Sequence, residues 1–274
     1  LSPTMVIGGI VNKFQSNNIS GNGDIIVVEA DEFDRSFLTL QPTMSIITNL
    51  DLEHLDCYEN LEDLQGAFAQ FANAVPFYGR VGICIDHSNL ASIIPQIKRP
   101  VVTFGFHKNA EVRATQLHFE NNQSKFELLV KGKPQGLLNI HVPGEHNIIN
   151  ALGAATLALE LDIPFEIIQA GLDQYAGVKR RFDIKYTTES NIMIVDDYAH
   201  HPSEVSATLN AAKSGWSNRI ISIFQPHLFT RTRDFYKDFA LEFLKSDILI
   251  VTNIYSAREK PIKGITAKMI VHEA

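Results

Sequence analysis

Short apolar runs alternate with polar clusters in the first third of the chain. Residues 24–28 form an apolar run that follows a Gly-Asn-Gly turn, and residues 44–48 repeat the pattern. Residues 61–75 have apolar positions at helical spacing, and residues 80–85 form the next apolar run. Strand, helix and strand in this order predict a parallel sheet with covering helices, in which residues 24–28 are a buried strand.

The pattern changes between residues 101 and 141, where short alternating runs are separated by polar turns. These runs predict a small antiparallel layer, and they cover residues 101–104, 112–119, 126–130 and 136–141. Two helices are predicted next, the first over residues 145–161, which are rich in Ala, Leu and Ile, and the second over residues 164–172.

The pattern starts again after a basic, glycine-containing segment at residues 177–182, which is typical of a hinge. The following strands and helices alternate, with strands predicted at 192–195, 219–224 and 248–251 and helices at 202–213, 231–244 and 265–274. Alternating strands and helices indicate a second, doubly wound domain. The sequence therefore predicts an α/β protein of two domains, residues 1–181 and 182–274.

Composition narrows the class of protein. The 274 residues are 45% hydrophobic and 20% charged, which is typical of a globular protein and excludes disorder and fibres. No apolar run approaches the roughly 18 residues that a membrane helix needs, and no signal peptide is visible, so we expect a cytoplasmic protein without a membrane partner. Two cysteines fit a reducing compartment. A net charge of -7 argues against nucleic-acid binding.

Acidic and imidazole side chains follow the first two predicted strands. Glu29 comes directly after residues 24–28, and His54 lies in the polar stretch after residues 44–48. Because the carboxyl ends of parallel strands meet at one edge of a sheet, Glu29 and His54 could share a Mg²⁺ ion. The alternative is that these residues are solvated loop charges or helix caps. Spacing alone leaves both open.

Two clusters in the second predicted domain also follow strands. Residues 196–202 bring paired carboxylates, a phenol and two imidazoles to a helix start, where they could bind an anion, orient an amine or coordinate metal. Exposed histidines before a helix that begins at Pro202 are the alternative. Arg231 and Arg233 stand near another helix start, where a bound carboxylate or phosphate would explain them. A solvated charged face would explain them equally well.

The sequence signals for nucleotide contacts are less specific than those of the strand-end clusters. Asn147 and Asn150 begin the Ala-rich helix beside His146, and an asparagine amide can pair with the edge of an adenine, although N-capping explains them as well. Arg181 and its basic neighbours could meet phosphates or be linker charges. The chain contains neither a G-x-x-x-x-G-K-[ST] nor a G-x-G-x-x-G motif, so a phosphate-binding glycine loop is absent from it.

Taken in order, six short motifs resemble those of the Mur ligases: residues 28–34, 48–56, 144–151, 177–182, 196–202 and 224–234. The resemblance implies a three-domain plan, of which residues 1–181 would be part of the central ATP-binding domain and residues 182–274 part of the Rossmann-like C-terminal domain. The first domain and the P-loop would then be missing through truncation. We therefore expect this stretch alone to be inactive.

Within the family, the last two motifs resemble the members that join L-alanine to UDP-N-acetylmuramate, which use ATP and Mg²⁺ and form an acyl phosphate. The resemblance implies that Glu29 and His54 are metal ligands. It also implies that adenine is bound at His146, Asn147 and Asn150, and that ribose and phosphates are bound at Arg181 and Asp197. The residues implied to face the amino acid and the acyl intermediate are Tyr198, His200, Arg231 and Arg233. No lysine lies between Lys13 and Lys98, so a carbamoylated lysine holding a second metal is not expected.

Three other functions stay open. The first is a family member that recycles murein peptides, and the second is a non-catalytic nucleotide-binding protein without a P-loop. The third is a dinucleotide-dependent oxidoreductase, which the doubly wound pattern suggests and the missing glycine motif disfavours.

Overall fold

A computed structural model describes residues 1–51 and 57–274. His54, one of the predicted metal ligands, lies outside the described residues. The chain divides into two compact units. Unit 1 comprises residues 1–118, 124–141 and 146–176, and unit 2 comprises residues 119–123, 142–145 and 177–274.

Unit 1 begins with a three-stranded sheet in the order β2-β1-β3. Its strands are β1 (Thr4–Val11), β2 (Ser16–Ile19) and β3 (Ile26–Val28). β3 is a strand, as predicted, and it pairs in parallel with β1, which was not predicted. The expectations that it shares a sheet with residues 44–48 and 80–85 and that it is buried are wrong, because it belongs to this separate sheet and Ile26 is 67% exposed. An apolar run indicates a strand without showing what covers it, and little of the described chain packs on β3.

Unit 1 also contains a six-stranded sheet in chain order from β4 to β9. The strands are β4 (Met44–Ile47), β5 (Arg80–Cys84), β6 (Val101–Gly105), β7 (Val112–Glu120), β8 (Gln123–Val130) and β9 (Lys133–Ile140). β4 to β7 pair in parallel, whereas β8 and β9 are antiparallel. The predicted antiparallel layer is therefore not separate. Its strands continue the parallel sheet, because alternation marks a strand without fixing its direction.

Three of the four helices described in unit 1 agree with the predictions. The four are α1 (Leu61–Ala74), the short α2 (Ser88–Ala91), α3 (Glu145–Glu160) and α4 (Phe165–Asp173). The short α2 was not predicted. The Asn60 side chain caps α1 by accepting from Asp63 N at 2.8 Å. α3 approaches the sheet closely at Gly153, where an added Cβ would lie 3.0 Å from Ile46 Cγ2 and 3.2 Å from Phe104 Cζ.

The connection after β6 depends on a carboxylate that follows β5. Asp86 accepts hydrogen bonds from Phe106 N at 2.6 Å and His107 N at 2.7 Å. Gly105 directly precedes these two residues and has φ +145°, and a Cβ there would be 2.5 Å from Asp86 Oδ2. A glycine is therefore required at the end of β6.

Unit 2 contains two pairs of strands. β10 (Asp183–Thr187) and β11 (Met193–Asp196) are antiparallel, and β12 (Ile221–Phe224) and β13 (Ile248–Val251) are parallel. The helices are α5 (Pro202–Gly215), α6 (Phe229–Phe243) and α7 (Lys268–Glu273). The core of unit 2 consists of Val205, Leu209, Phe224, Phe239, Phe243 and Ile270. All its elements except β10 were predicted, and the alternation of polar Asp183, Lys185 and Thr187 with apolar residues is the signal that could have found β10.

Aromatic stacking fixes the start of unit 2. The buried ring of Phe182 stacks on the indole of Trp216, with 5.3 Å between ring centroids and 14° between their planes. Trp216 is the residue that follows α5. Among the helices that the structure describes, none combines the length and the apolar character that crossing a membrane requires.

Candidate functional site

Most candidate residues of unit 2 lie beyond two strand ends, as expected for ligand sites. Asp197, Tyr198 and His200 lie in a first loop, after β11, and Arg231 and Arg233 lie in the first turns of α6, which a second loop joins to β12, whereas Arg181 precedes β10. Asp197 organises the first loop. Its Oδ2 accepts from Phe182 N at 2.7 Å and its Oδ1 accepts from Ala199 N at 2.8 Å. Both oxygens thus bind backbone groups, and Asp197 links the loop to the hinge segment that precedes β10.

A row of rings runs across the two loops. The ring of His200 lies 4.9 Å from that of Tyr198 and 5.9 Å from that of His227, and His227 stacks on Tyr255 at 5.6 Å. His200 Nδ1 is 2.8 Å from Tyr198 O. A carbonyl oxygen only accepts, so Nδ1 carries a proton in this bond, and whenever the ring is neutral its lone pair lies on Nε2.

The surroundings of His227 favour the neutral form of its ring. Burial lowers its pKa, and the charges of Arg231 and His200 lower it further. Arg231 Nη1 donates to His227 Nδ1 at 3.4 Å. Arginine has no acceptor, so Nδ1 of His227 must carry the lone pair. The two imidazoles therefore present opposite tautomers.

The second loop is tied to the segment after β13. Leu228 N donates to Tyr255 O at 2.9 Å, and Tyr255 N donates to Pro226 O at 2.8 Å. Leu228 has φ +71°, a left-handed backbone that is uncommon for leucine. These reciprocal bonds hold His227 against Tyr255 and set the start of α6.

An internal carboxylate occupies the start of α6. Glu259 accepts from Phe229 N at 2.5 Å, from Thr230 N at 3.1 Å and from the Thr230 hydroxyl. Burial opposes ionisation of Glu259, but these bonds outweigh it and lower its pKa. The helix start therefore does not by itself require a bound anion, which weakens one argument for an anion at Arg231 and Arg233. The sequence analysis missed Glu259, because it lies 26 residues from Arg233.

Arg181 and Arg233 are both paired with acids. Arg233 Nε and Nη2 donate to the two oxygens of Asp234 at 2.7 and 2.9 Å. Arg181 Nη1 donates to Glu204 Oε1 at 2.9 Å, and Glu204 Oε2 accepts from His200 N at 2.8 Å. Glu204 was also missed, although a glutamate three positions after a helix cap is the signal of a capping box.

Unit 1 carries the other candidates. Glu29 is exposed at the end of β3, and its Oε2 accepts from Gly8 N at 2.6 Å. His146, Asn147 and Asn150 lie in the first turns of α3, where Asn147 Nδ2 donates to His146 Nε2 at 3.1 Å. Their assignment to metal and adenine stays a prediction.

The described residues contain no group of three or more His, Cys, Asp or Glu side chains that could hold a metal ion. Glu29 nevertheless suits Mg²⁺, because an exposed carboxylate offers the oxygen ligand that this ion prefers and the bond from Gly8 N fixes its orientation. The remaining ligands would be His54, phosphate oxygens and water.

Two family descriptions match consecutive parts of the chain. The Mur ligase middle domain matches residues 11–158, and the Mur ligase glutamate ligase domain matches residues 180–274. Similar proteins include the UDP-N-acetylmuramate–L-alanine ligase of Salinibacter ruber, 44% identical over 99% of this chain and 57% of that protein. The ligase of the same name from Syntrophus aciditrophicus is 46% identical over 98% of this chain and 56% of that protein. The chain thus spans somewhat more than half the length of these relatives.

Solved structures agree with this match. A UDP-N-acetylmuramate-alanine ligase from Thermotoga maritima superposes with a TM-score of 0.80 at 30% identity, over 99% of this chain and 58% of that one. A murein peptide ligase from Psychrobacter arcticus, 20% identical over 99% of this chain and 61% of that one, shares the fold with a TM-score of 0.65. The family matches together cover most of the sequence, and the chain belongs to the Mur ligase family.

Proposed function

We propose that the whole protein ligates L-alanine to UDP-N-acetylmuramate in peptidoglycan precursor synthesis, with ATP converted to ADP and phosphate. The observation that carries the proposal is 44–46% identity, along nearly the whole chain, to relatives with that name. The murein peptide ligases are the alternative within the family, and the one from Psychrobacter arcticus is only 20% identical to this chain. Because the reaction consumes ATP and a UDP-linked sugar, the proposal includes a cytoplasmic location.

The reaction would proceed in two steps. The muramate carboxylate takes the γ-phosphoryl group of ATP to give an acyl phosphate, and the amine of L-alanine then displaces phosphate. Negative charge gathers on oxygen atoms in both steps, so cationic donors stabilise them. Arg231 and Arg233 at the start of α6 are the proposed donors in unit 2.

A proton acceptor is also required, because the attacking amine must lose a proton as the amide bond forms. His200 is the proposed acceptor. Its Nδ1 donates to Tyr198 O, which leaves the Nε2 lone pair available. Tyr198 is 44% exposed and lies against the His200 ring, where we expect it to border the amino acid.

The nucleotide and metal roles are proposed for each unit by itself. In unit 1, Asn147, Asn150 and His146 are proposed for adenine and Glu29 with His54 for Mg²⁺; in unit 2, Arg181 and Asp197 are proposed for ribose and phosphates. Bound Mg²⁺ would supply positive charge that polarises the γ-phosphate. Glu29 would hold it through a carboxylate whose orientation Gly8 N already fixes.

The test uses the whole protein as its genome encodes it. Phosphate release and the mass of the nucleotide product are measured with ATP, Mg²⁺ and UDP-N-acetylmuramate, adding L-alanine, glycine, L-serine or a murein tripeptide in turn. We expect a product larger by one alanine residue, and phosphate release only when both substrates are present. Preferential use of the tripeptide would favour the recycling ligase, and absence of turnover with every acceptor would favour the non-catalytic alternative.

A further inference from the structure

Glu204 uses its two carboxylate oxygens for two different segments of unit 2. Oε1 accepts from Arg181 Nη1 at 2.9 Å, and Arg181 belongs to the segment that precedes β10. Oε2 accepts from His200 N at 2.8 Å and from His201 N at 3.2 Å, both in the loop after β11. His200 Nδ1 also lies 3.4 Å from Oε2. One side chain thus joins a cation of the hinge segment to the imidazole loop.

Capping of α5 explains only half of this arrangement. A capping box needs one side-chain oxygen to accept from the cap backbone, and Oε2 serves that purpose. The bond from Oε1 to Arg181 spans 23 positions and contributes nothing to the helix start. The side chains of Arg181 and Glu204 are 55% and 25% exposed, so solvent still weakens the contribution of this ion pair to folding stability. The bond does fix the direction of the Arg181 guanidinium, which is the property that the proposal below uses.

The ionised form of Glu204 suits this arrangement. Burial opposes its charge, but His200, the backbone bond from His200 N and Arg181 outweigh burial and lower its pKa. The carboxylate is thus charged at neutral pH. It offers a full negative charge to the Arg181 guanidinium and fixes where that group can point.

We propose that Glu204 is a positioning residue that sets the Arg181 guanidinium and the His200 loop relative to one another. The inference rests on the proposed function, in which Arg181 serves the nucleotide and His200 the amino acid. Glu204 itself would touch neither substrate. It would act by holding Arg181, the proposed phosphate contact, and His200, the proposed proton acceptor, in one arrangement. A displacement of either residue would then displace the other.

The test compares E204Q, R181Q and the double variant E204Q/R181Q in the whole protein. Glutamine keeps one oxygen for the cap of α5 but cannot ion-pair with Arg181. Binding of Mg²⁺ with a non-hydrolysable ATP analogue is measured by calorimetry, so this readout does not depend on turnover. We expect E204Q and R181Q each to weaken binding about tenfold, and the double variant to bind no more weakly than R181Q. Unchanged binding in E204Q, or additive losses in the double variant, would overturn the inference.

Steady-state kinetics give the second readout. We expect E204Q to raise the KM for ATP and also to lower kcat for L-alanine ligation, because both ends of the link are released. A loss of stability alone would lower the active fraction and leave KM unchanged. Glu166→Gln, in the first turn of α4, is the matched control and should match the wild type. If the wild type ligates L-alanine and E204Q has the same KM and kcat, the inference about Glu204 is wrong and the proposed function stands. If the wild type does not ligate L-alanine, the proposed function is wrong.

Discussion

The pKa of His227 is lowered by burial and by neighbouring positive charge. Burial lowers its pKa first, and Arg231 and His200 add to the effect. We predict that Arg231→Gln raises the pKa of His227 toward the ordinary value of about 6.5. The measurement is a pH titration of the histidine ring signals by NMR.

Arg233→Gln is the matched control, because Arg233 pairs with Asp234 and does not act on His227. The His227 pKa should not move in that variant, and an equal rise in both variants would contradict the assignment.

The lowered pKa of His227 also makes the free energy of unfolding depend on pH. The unfolded chain binds a proton at His227 more readily, so stability falls as pH drops from the ordinary His pKa through the folded-state pKa.

Glu259 is the residue whose removal should most affect the start of α6. It accepts three hydrogen bonds from Phe229 and Thr230. We predict that Glu259→Ala lowers the free energy of unfolding by about 1–2 kcal/mol, since a helix cap is lost. Glu259→Gln should cost less, because it keeps an acceptor oxygen. Urea unfolding monitored by circular dichroism measures both.

Glu189→Ala, at an exposed turn between β10 and β11, is the comparison and should change stability by less than about 0.5 kcal/mol.

The difference in unfolding free energy between wild type and Glu259→Gln should also depend on pH. Because the pKa of Glu259 is lowered in the fold, its charge contributes stability above the ordinary glutamate pKa, and this contribution is lost as pH falls through the folded-state value. A difference that persists below both values would contradict the role of the charge.

Among the elements, the end of β6 depends on a single backbone conformation. Gly105 has φ +145°, and its missing Cβ leaves space for Asp86. We predict that Gly105→Ala costs about 2–4 kcal/mol of folding free energy, from backbone strain and from loss of the bonds to Phe106 N and His107 N. Hydrogen exchange at the β6 amides should report the loss within unit 1.

Gly132→Ala provides the control for backbone strain alone. Gly132 also has a positive φ, +76°, but nothing lies within 4 Å of an added Cβ. Its cost should be about 1 kcal/mol. Equal costs at Gly105 and Gly132 would show that the approach of Asp86 is unimportant.

Helices were the easiest elements to predict. α1 and α3 follow from apolar residues at helical spacing, which depends on the local sequence alone. Sheet partners depend on distant residues. The exposure of β3 and the parallel direction of β6 therefore could not be deduced from their own residues.

The sequence predicted the loops at the strand ends that carry the candidate residues. It did not predict the two carboxylates, Glu204 and Glu259, that hydrogen-bond to the loop after β11 and to the start of α6, respectively. The ring cluster of Tyr198, His200 and His227 belongs to motifs that are compact in sequence. Glu259 comes from a loop beyond β13 and meets α6 only in the folded chain. Glu204 lay within a recognisable capping pattern, but its bond to Arg181 is tertiary.

At the scale of the whole molecule, activity should depend on Mg²⁺ through Glu29. We predict that chelation of divalent ions abolishes ligation by the whole protein and that added Mg²⁺ restores it. Glu29→Gln should raise the Mg²⁺ concentration needed for half-maximal rate at least about tenfold, because an amide oxygen is a poorer ligand than a carboxylate. Glutamine still accepts from Gly8 N, so the local fold should persist.

Glu32→Gln is the comparison, since Glu32 lies in the same acidic stretch and is not among the proposed ligands. The Mg²⁺ requirement should be unchanged in that variant. A requirement that rises equally in both would indicate a general effect of negative charge and would remove Glu29 as a specific ligand.

The stack of Phe182 on Trp216 gives this chain an optical probe. Trp216 is its single tryptophan, and its indole stacks on Phe182, the last residue of the hinge segment. When the indole is excited selectively over the seven tyrosines, emission from this chain therefore originates at one place, beside the carboxyl end of α5. A ligand or substitution that moves the hinge segment would change the polarity around the indole and shift its emission wavelength, so the protein needs no added dye to report on that segment.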